Sequence, residues 1–280
     1  MRALVLSGGG AKASWQVGAL RHLILDKGIK YDIFCGNSAG ALNAAKLATK
    51  WDDQEAFLEL EKIWMSITPD RIFRPWSYGF LGPAGGLLRG KPSAYNSEPL
   101  QRLVERNICA EELKHSGKLL TVGAVSSTTG DYHYFRETDE NIVKAIQASC
   151  AYPGAFLPVE MEGELWMDAG VREFTPLSEA IYLGAKEIDV IMLSNMQVSR
   201  FDKKHPNALD MARRALEIIM FRLDLWDLKV VTCEYEGVTI RKFVPMEDLG
   251  NFIDFRPENI RELYKLGYED TKRIAAKYDL

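Results

Sequence analysis

The 280-residue sequence contains neither a long apolar run nor a long basic run. Its longest stretch without a charged residue extends from Ala145 to Val159 and includes two prolines, whereas a membrane-spanning helix needs roughly 20 unbroken apolar residues. The 35 Lys and Arg residues are outnumbered by 39 Asp and Glu residues, which gives a net charge of −4. We therefore expect no transmembrane segment and no nucleic-acid partner.

Cysteine and histidine are also scarce, with four residues of each. The cysteines form no C-x-x-C pair and are widely spaced: Cys35, Cys109, Cys150 and Cys233. Because no His, Asp and Glu cluster has metal-ligand spacing either, we expect no structural zinc, no disulfide framework, no metal and no cofactor. The apolar run Ala3–Leu6 is shorter than the roughly 7–15 residues of a signal-peptide core, which favours a cytoplasmic protein.

The first 48 residues have the pattern of a β-α-β unit. Ala3–Leu6 and Tyr31–Cys35 read as short buried strands, and apolar residues at helical spacing predict helices over Ser14–Leu25 and Ala41–Ala48. Two strands joined through a helix run parallel, with helices covering the faces of the sheet. The sequence therefore predicts an α/β fold.

Helices and strands continue to alternate along the chain, so one α/β domain over residues 1–280 is the simplest organisation. A long amphipathic helix is predicted from about Asn207, with an apolar set that we expect to be buried: Leu209, Ala212, Leu216, Ile219, Leu223 and Trp226. The segment Pro69–Pro92 breaks the pattern and is rich in aromatic residues, among them Trp76, Tyr78 and Phe80. It is a candidate wall or mobile cover for an apolar ligand, or a bilayer contact, and equally an irregular loop that completes the core.

A G-x-S-x-G motif, Gly36-Asn37-Ser38-Ala39-Gly40, stands between a predicted strand and a predicted helix. In that position it indicates a nucleophile elbow, a sharp turn that projects the serine hydroxyl above the edge of the sheet. The flanking glycines suit a turn too crowded for a Cβ atom. The helix that follows points its N–H groups towards any anion that forms near Ser38.

Three consecutive glycines, Gly8, Gly9 and Gly10, follow the first predicted strand. Their backbone amides can approach a ligand atom without obstruction, which suits an oxyanion hole and equally a nucleotide phosphate. The phosphate interpretation is the weaker one, because Ala13 stands where G-x-G-x-x-G requires glycine and no G-K-[ST] is present.

A nucleophilic serine needs a base, and none of the histidines (His22, His115, His133 and His205) has a convincing sequence setting. Asp168 is the better candidate, because it follows the apolar run Leu165-Trp166-Met167 where a strand ends. Carboxylates at such strand ends point into the functional crevice of an α/β sheet. Burial beside apolar residues would raise its pKa from about 3.9. A turn cap or a pair with Arg172 is the structural alternative for Asp168.

In order, the glycine triplet with Lys12, the G-x-S-x-G motif and Asp168-Ala169-Gly170 resemble the motifs of patatin-like phospholipases. The segment from Ala148-Ser149 to Pro158 is also similar to that family. The resemblance covers residues 7–176 and implies a three-layer α/β sandwich with a mostly parallel sheet. It implies a motif-bearing core of about residues 1–200 and a C-terminal extension over about 201–280.

The same resemblance implies a Ser-Asp dyad of Ser38 and Asp168, with an oxyanion hole from Gly8, Gly9 and Gly10. Lys12, Asn37 and Ala39 are then expected near the substrate, and Gly36, Gly40, Ala169 and Gly170 shape the turns. We expect hydrolysis of fatty-acyl ester bonds of lipids or phospholipids through an acyl-enzyme. A phosphate- or nucleotide-binding protein and a catalytically silent lipid-binding protein remain alternatives, and the sequence does not define the oligomeric state.

Overall fold

A computed structural model describes residues 1–76, 90–194, 201–234 and 237–280, with only the backbone at some positions of the helix over 208–234. Within these ranges no helix combines the length and apolar character that crossing a bilayer requires. The strands are β1 (Arg2–Leu6), β2 (Ile33–Gly36), β3 (Leu119–Ser126), β4 (Tyr132–Arg136), β5 (Val159–Met161), β6 (Glu164–Asp168), β7 (Glu187–Ile191) and β8 (Thr239–Phe243). The helices are α1 (Ala13–Leu20), α2 (Ala39–Leu47), α3 (Asp53–Met65), α4 (Pro69–Ile72), α5 (Glu98–Asn107), α6 (Ala110–His115), α7 (Ile142–Ser149), α8 (Leu177–Tyr182), α9 (Ala208–Glu234) and α10 (Pro257–Ala275).

In the described part of the chain, eight strands form one mixed sheet in the order β5-β6-β3-β2-β1-β7-β8, with β4 also paired to β3. The five strands from β3 to β8 in this order run parallel, whereas β4, β5 and β6 add antiparallel pairs. Successive residues of β1 alternate between the two faces, so that Leu4 and Leu6 pack on one side and Ala3 and Val5 on the other. Both faces are covered by helices, as the α/β prediction requires.

Helix α1 is buried along its whole length because it lies between the sheet and α10. The two helices cross at glycines: a Cβ on Gly18 would lie 1.9 Å from the Tyr264 carbonyl oxygen, and a Cβ on Gly267 would lie 2.0 Å from that of Trp15. The helix predicted over Ser14–Leu25 is therefore present. Its second half, Arg21–Asp26, is a wider π-helical segment.

The predicted long helix exists, but the prediction of its buried face is wrong at three positions, and the side chain of Leu209 lies outside the described residues. Ile219 and Trp226 are 55% and 64% exposed, and Ala212 is exposed as well. Leu216 and Leu223 are half-buried, whereas Met220 is buried. The side of the helix that carries Met220 packs against Gly170. A Cβ added to Gly170 would lie 2.5 Å from the Met220 methyl carbon.

Candidate active site

Ser38 occupies the turn between β2 and α2 in a backbone conformation that is rare for a residue with a side chain, with φ 52° and ψ −129°. Such a conformation costs of the order of 1–3 kcal/mol and persists only where the surroundings impose it. A Cβ on Gly36 would lie 2.3 Å from the Gly40 carbonyl oxygen, and one on Gly40 would lie 2.3 Å from that of Leu6. Both glycines are therefore required by close backbone packing, as the motif predicts.

Two residues at the end of α7 hold the backbone of the elbow. The Ser38 amide donates a 2.8 Å hydrogen bond to Ser149 Oγ, and Cys150 Sγ donates to the Ser38 carbonyl oxygen at 3.1 Å. In the sequence, both residues belong to the family-like segment that begins at Ala148. Their separation from Ser38 by more than 110 residues left no local signal of the contact.

Asp168 ends β6, where it lies opposite Ala124 of β3. Its Oδ1 accepts a 2.8 Å hydrogen bond from the Gly170 amide, whereas its Oδ2 is buried without a hydrogen-bond partner in the described residues. Burial raises the pKa of the Asp168 carboxyl to about 7, and the Gly170 amide and the Ser38 hydroxyl oppose that rise. The fold thus brings the Ser38 hydroxyl next to a carboxyl that titrates near neutral pH.

The glycine loop lies against the same elbow, because a Cβ on Gly8 would lie 2.9 Å from Ser38 Cβ. The Gly8 amide donates to the Phe174 carbonyl oxygen at 3.3 Å. In the described ranges, no protein acceptor takes the amides of Gly9 and Gly10, which leaves them available to a ligand oxygen. Gly10 has a φ of 58°, and a Cβ there would lie 2.3 Å from the Phe252 carbonyl oxygen.

Asn37 differs from the prediction that it lies near a substrate. It is fully buried, and its Nδ2 donates to the Glu173 carbonyl oxygen at 2.8 Å. Its Oδ1 accepts from the Gly123 amide and from the Tyr132 hydroxyl, both at 3.1 Å. The side chain therefore ties the elbow to β3, β4 and the loop after Asp168. The backbone of that loop is unstrained at Ala169, because this residue begins a short 3₁₀ turn and is not among the described residues with positive φ.

Two cavities meet at Ser38. The wide cavity, about 440 Å³, is lined by the glycine loop, Lys12, Asp168 and residues of the C-terminal region such as Met220 and Phe252. The narrow one, about 70 Å³, is lined mostly by apolar side chains of α2, α3 and α5, and Ala39 lies in its wall. Both cavities share four lining residues: Gly10, Ser38, Cys150 and Phe156.

The four histidines all lie outside the residues that line these cavities. The Nδ1 atom of His22 lies 3.0 Å from Asp26 Oδ2, and His133 stacks edge-on against Trp166. His115 and His205 are exposed on the surface. Among these lining residues, Asp168 is a carboxylate that interacts with the Ser38 hydroxyl.

The aromatic segment predicted as a wall or bilayer contact is described only in part. Trp76 donates from Nε1 to the Ser93 carbonyl oxygen at 3.0 Å, and Lys91 Nζ lies 4.9 Å from the centre of its ring. Residues 77–89, which include Tyr78, Phe80 and Leu81, lie outside the described residues.

Comparison with known proteins agrees with this architecture. The family model "Patatin-like phospholipase" matches residues 4–181. The chain is 29% identical over 191 residues to "Uncharacterized protein YjjU" of Escherichia coli (strain K12), covering 68% of this chain and 51% of that protein. It is 28% identical over 188 residues to "Probable lipid hydrolase 463L" of Invertebrate iridescent virus 6, covering 64% of this chain and 63% of that protein. The matches therefore span less than two thirds of the length of either relative.

Among solved structures, the fold is similar to that of VipD from Legionella pneumophila. The TM-score is 0.51 at 18% sequence identity, and the match covers 99% of this chain and 67% of that one. The family match extends from β1 to α8 and so includes the elbow, the glycine loop and Asp168. On this match, the chain belongs to the patatin-like phospholipase family.

Proposed function

We propose that this protein hydrolyses fatty-acyl ester bonds of lipids, with Ser38 as the nucleophile and Asp168 as the general base. The observation that carries the proposal is the Asp168 carboxyl. It is buried beside the Ser38 hydroxyl, its Oδ2 has no hydrogen-bond partner in the described ranges, and burial raises its pKa to about 7. A general base works best when its pKa is close to the working pH.

In the first half of the reaction, Ser38 Oγ attacks the ester carbonyl carbon and its proton moves to Asp168 Oδ2. The carbonyl oxygen becomes an oxyanion that accepts hydrogen bonds from the amides of Gly9 and Gly10, which have no protein acceptor in the described ranges. The ester C–O bond then breaks, and the proton on Asp168 moves to the departing alkoxide. Ser38 is left as an acyl ester.

In the second half, a water molecule attacks the acyl-enzyme and gives its proton to Asp168. The tetrahedral intermediate uses the same two amides, and its collapse breaks the bond to Ser38 Oγ. The serine oxygen takes the proton back from Asp168, and the fatty acid leaves. Each half thus uses one carboxyl as base and then as acid.

The narrow cavity suits the acyl chain, because most of its lining is apolar and it opens directly at Ser38. Burying a methylene group is favourable by about 0.8 kcal/mol, so a long chain gains more from this pocket than a short one. The alcohol part of the ester then occupies the wide cavity, whose wall includes residues from the C-terminal region. We further propose that residues 1–280 act as one domain, because that region closes the site.

The test is hydrolysis of a long-chain lipid ester by the wild-type protein and by Ser38→Ala, with fatty-acid release as the measurement. We expect turnover only in the wild type, and Ser66→Ala, an exposed serine at the end of α3, serves as the matched control. Equal turnover in Ser38→Ala and wild type would reject the proposed nucleophile. Lipid binding without turnover in the wild type would instead indicate a silent lipid-binding protein.

A further inference from the structure

Besides Asp168, four charged side chains line the wide cavity: Lys12, Arg214, Glu217 and Asp248. Three of them come from the region after residue 181, where the family match ends. Because two are cations and two are anions, this charged wall has no net charge. A charged side chain in a cavity wall needs a partner of opposite charge or a polar partner, since an isolated charge is costly to remove from water.

Lys12 is a largely buried cation of the wall, with a side chain only 17% exposed. Its ammonium lies 3.8 Å from Asp248 Oδ1, which is too long for a hydrogen bond. Burial lowers the pKa of Lys12, and the carboxylates of Asp248 and Glu217 oppose that fall. A buried ammonium keeps three N–H donors that need acceptors, so an anionic group in the cavity would complete its surroundings.

Asp248 presents the opposite charge to the same space and is half exposed, at 50% of its side-chain surface. Arg214 and Glu217 face each other at 3.3 Å, and the Arg214 guanidinium also lies 5.7 Å from the ring of Phe201. An ammonium group placed near Asp248 would meet its carboxylate, and the aromatic side chain of Phe252, a type that also attracts cations, lines the same cavity. The wall therefore offers one position to an anion and a second to a cation.

We propose that this charged wall binds the head group of a zwitterionic phospholipid, with the phosphate at Lys12 and the ammonium at Asp248. The inference rests on the proposed function for the position of the ester. Lys12 follows Gly10 by two residues, so its ammonium shares the cavity with the amides assigned to the oxyanion. A phosphate on the same glycerol as the cleaved ester fits such a neighbouring position.

The proposal is tested by binding rather than turnover. Short-chain diether lipids contain no ester, and their affinity for Ser38→Ala can be measured by calorimetry with phosphoethanolamine and with phosphoglycerol head groups. We expect tighter binding of the phosphoethanolamine lipid. Loss of one charged contact is worth about tenfold in affinity, so adding Asp248→Asn should remove or reverse the preference, and adding Lys12→Gln should weaken both lipids.

Glu247→Gln is the matched control, because this exposed neighbour of Asp248 loses the same charge outside the cavity lining. It should leave the preference unchanged. Equal affinity for the two head groups, or a preference that survives Asp248→Asn, would overturn the proposal. The diether lipids cannot be hydrolysed, so absence of turnover in the wild type would reject the proposed reaction and leave this binding result standing.

Discussion

The two cavities that meet at Ser38 differ in width, polarity and origin. The narrow pocket lies among α2, α3 and α5 and has a mostly apolar lining. The wide cavity is bounded by the glycine loop on one side and by α9 and the loop after β8 on the other, and it carries four charged side chains besides Asp168. A molecule with one apolar arm and one polar arm, joined at an ester, fits this difference. If the proposed function is correct, we expect this difference between the cavities to set the orientation of the substrate.

Asp168→Asn removes the proposed general base beside Ser38, where the two cavities meet, and it should have the largest effect. Without a carboxylate to accept the Ser38 proton, hydrolysis should fall by about 10²–10⁴-fold for long-chain and short-chain esters alike. Initial rates on both esters measure the loss. Asp131→Asn, which changes an exposed carboxylate outside the cavity lining, should retain the wild-type rate. Full activity of Asp168→Asn would assign the base to another group.

Leu103→Trp fills the narrow pocket alone, because Leu103 lines it from α5 and does not line the wide cavity. The larger side chain displaces about two methylene groups of an acyl chain. The rate ratio of hexadecanoyl to butanoyl ester should fall about tenfold. The control is Leu58→Trp on α3, where the leucine is 52% exposed and lies outside both linings. An unchanged ratio in Leu103→Trp would place the acyl chain elsewhere.

The titration of Asp168 should change activity and stability in opposite directions as the pH rises. Only the carboxylate form accepts the serine proton, so kcat/KM should rise through about pH 7. The raised pKa means that the folded protein holds this proton more tightly than the unfolded chain does. Stability should therefore fall as the pH rises from the ordinary carboxyl range to about 7, and should then stay lowered.

Thermal unfolding of wild type and Asp168→Asn at pH 5 and pH 8 measures the stability side of this prediction. The variant should gain stability relative to wild type at the higher pH, because it never ionises at this position. A stability difference that is the same at both pH values would show that Asp168 titrates in its ordinary range.

Ser149→Ala should have the smallest effect, because it changes the support of the elbow and leaves both cavities intact. Loss of the hydrogen bond from the Ser38 amide should cost about 1 kcal/mol of stability. The rate should fall severalfold for both ester lengths, which distinguishes this change from one in the narrow pocket. Denaturant unfolding and initial rates measure the two effects. A change in the chain-length ratio would contradict a purely supporting role.

Much of the site could be predicted from sequence because its requirements are local. Gly36 and Gly40 flank a turn whose crowding involves backbone atoms, and a motif expresses that constraint directly. Asp168 followed a recognisable apolar strand. By contrast, the sequence predicts Asn37 near the substrate. Its side chain instead forms hydrogen bonds with Gly123, Tyr132 and Glu173, which are distant in sequence. Contacts of this kind depend on strand order, which composition and spacing do not encode.

The long helix α9 shows a second limit. Its sequence has apolar residues on more than one side, so periodicity alone favoured a strip that includes Ile219 and Trp226, both of which are largely exposed. The buried position Met220 is fixed by its contact with the turn after Asp168. Which side of a helix is buried depends on its packing partner, and that partner comes from a distant part of the chain.

The most direct test of the account is the rate at which a fluorophosphonate labels the protein as a function of pH, with the adduct located by peptide mass spectrometry. The account predicts one adduct on Ser38, a rate that rises through about pH 7, and a rate close to zero at every pH in Asp168→Asn. Labelling of Ser38 in that variant at the wild-type rate, or an adduct on another residue, would contradict it.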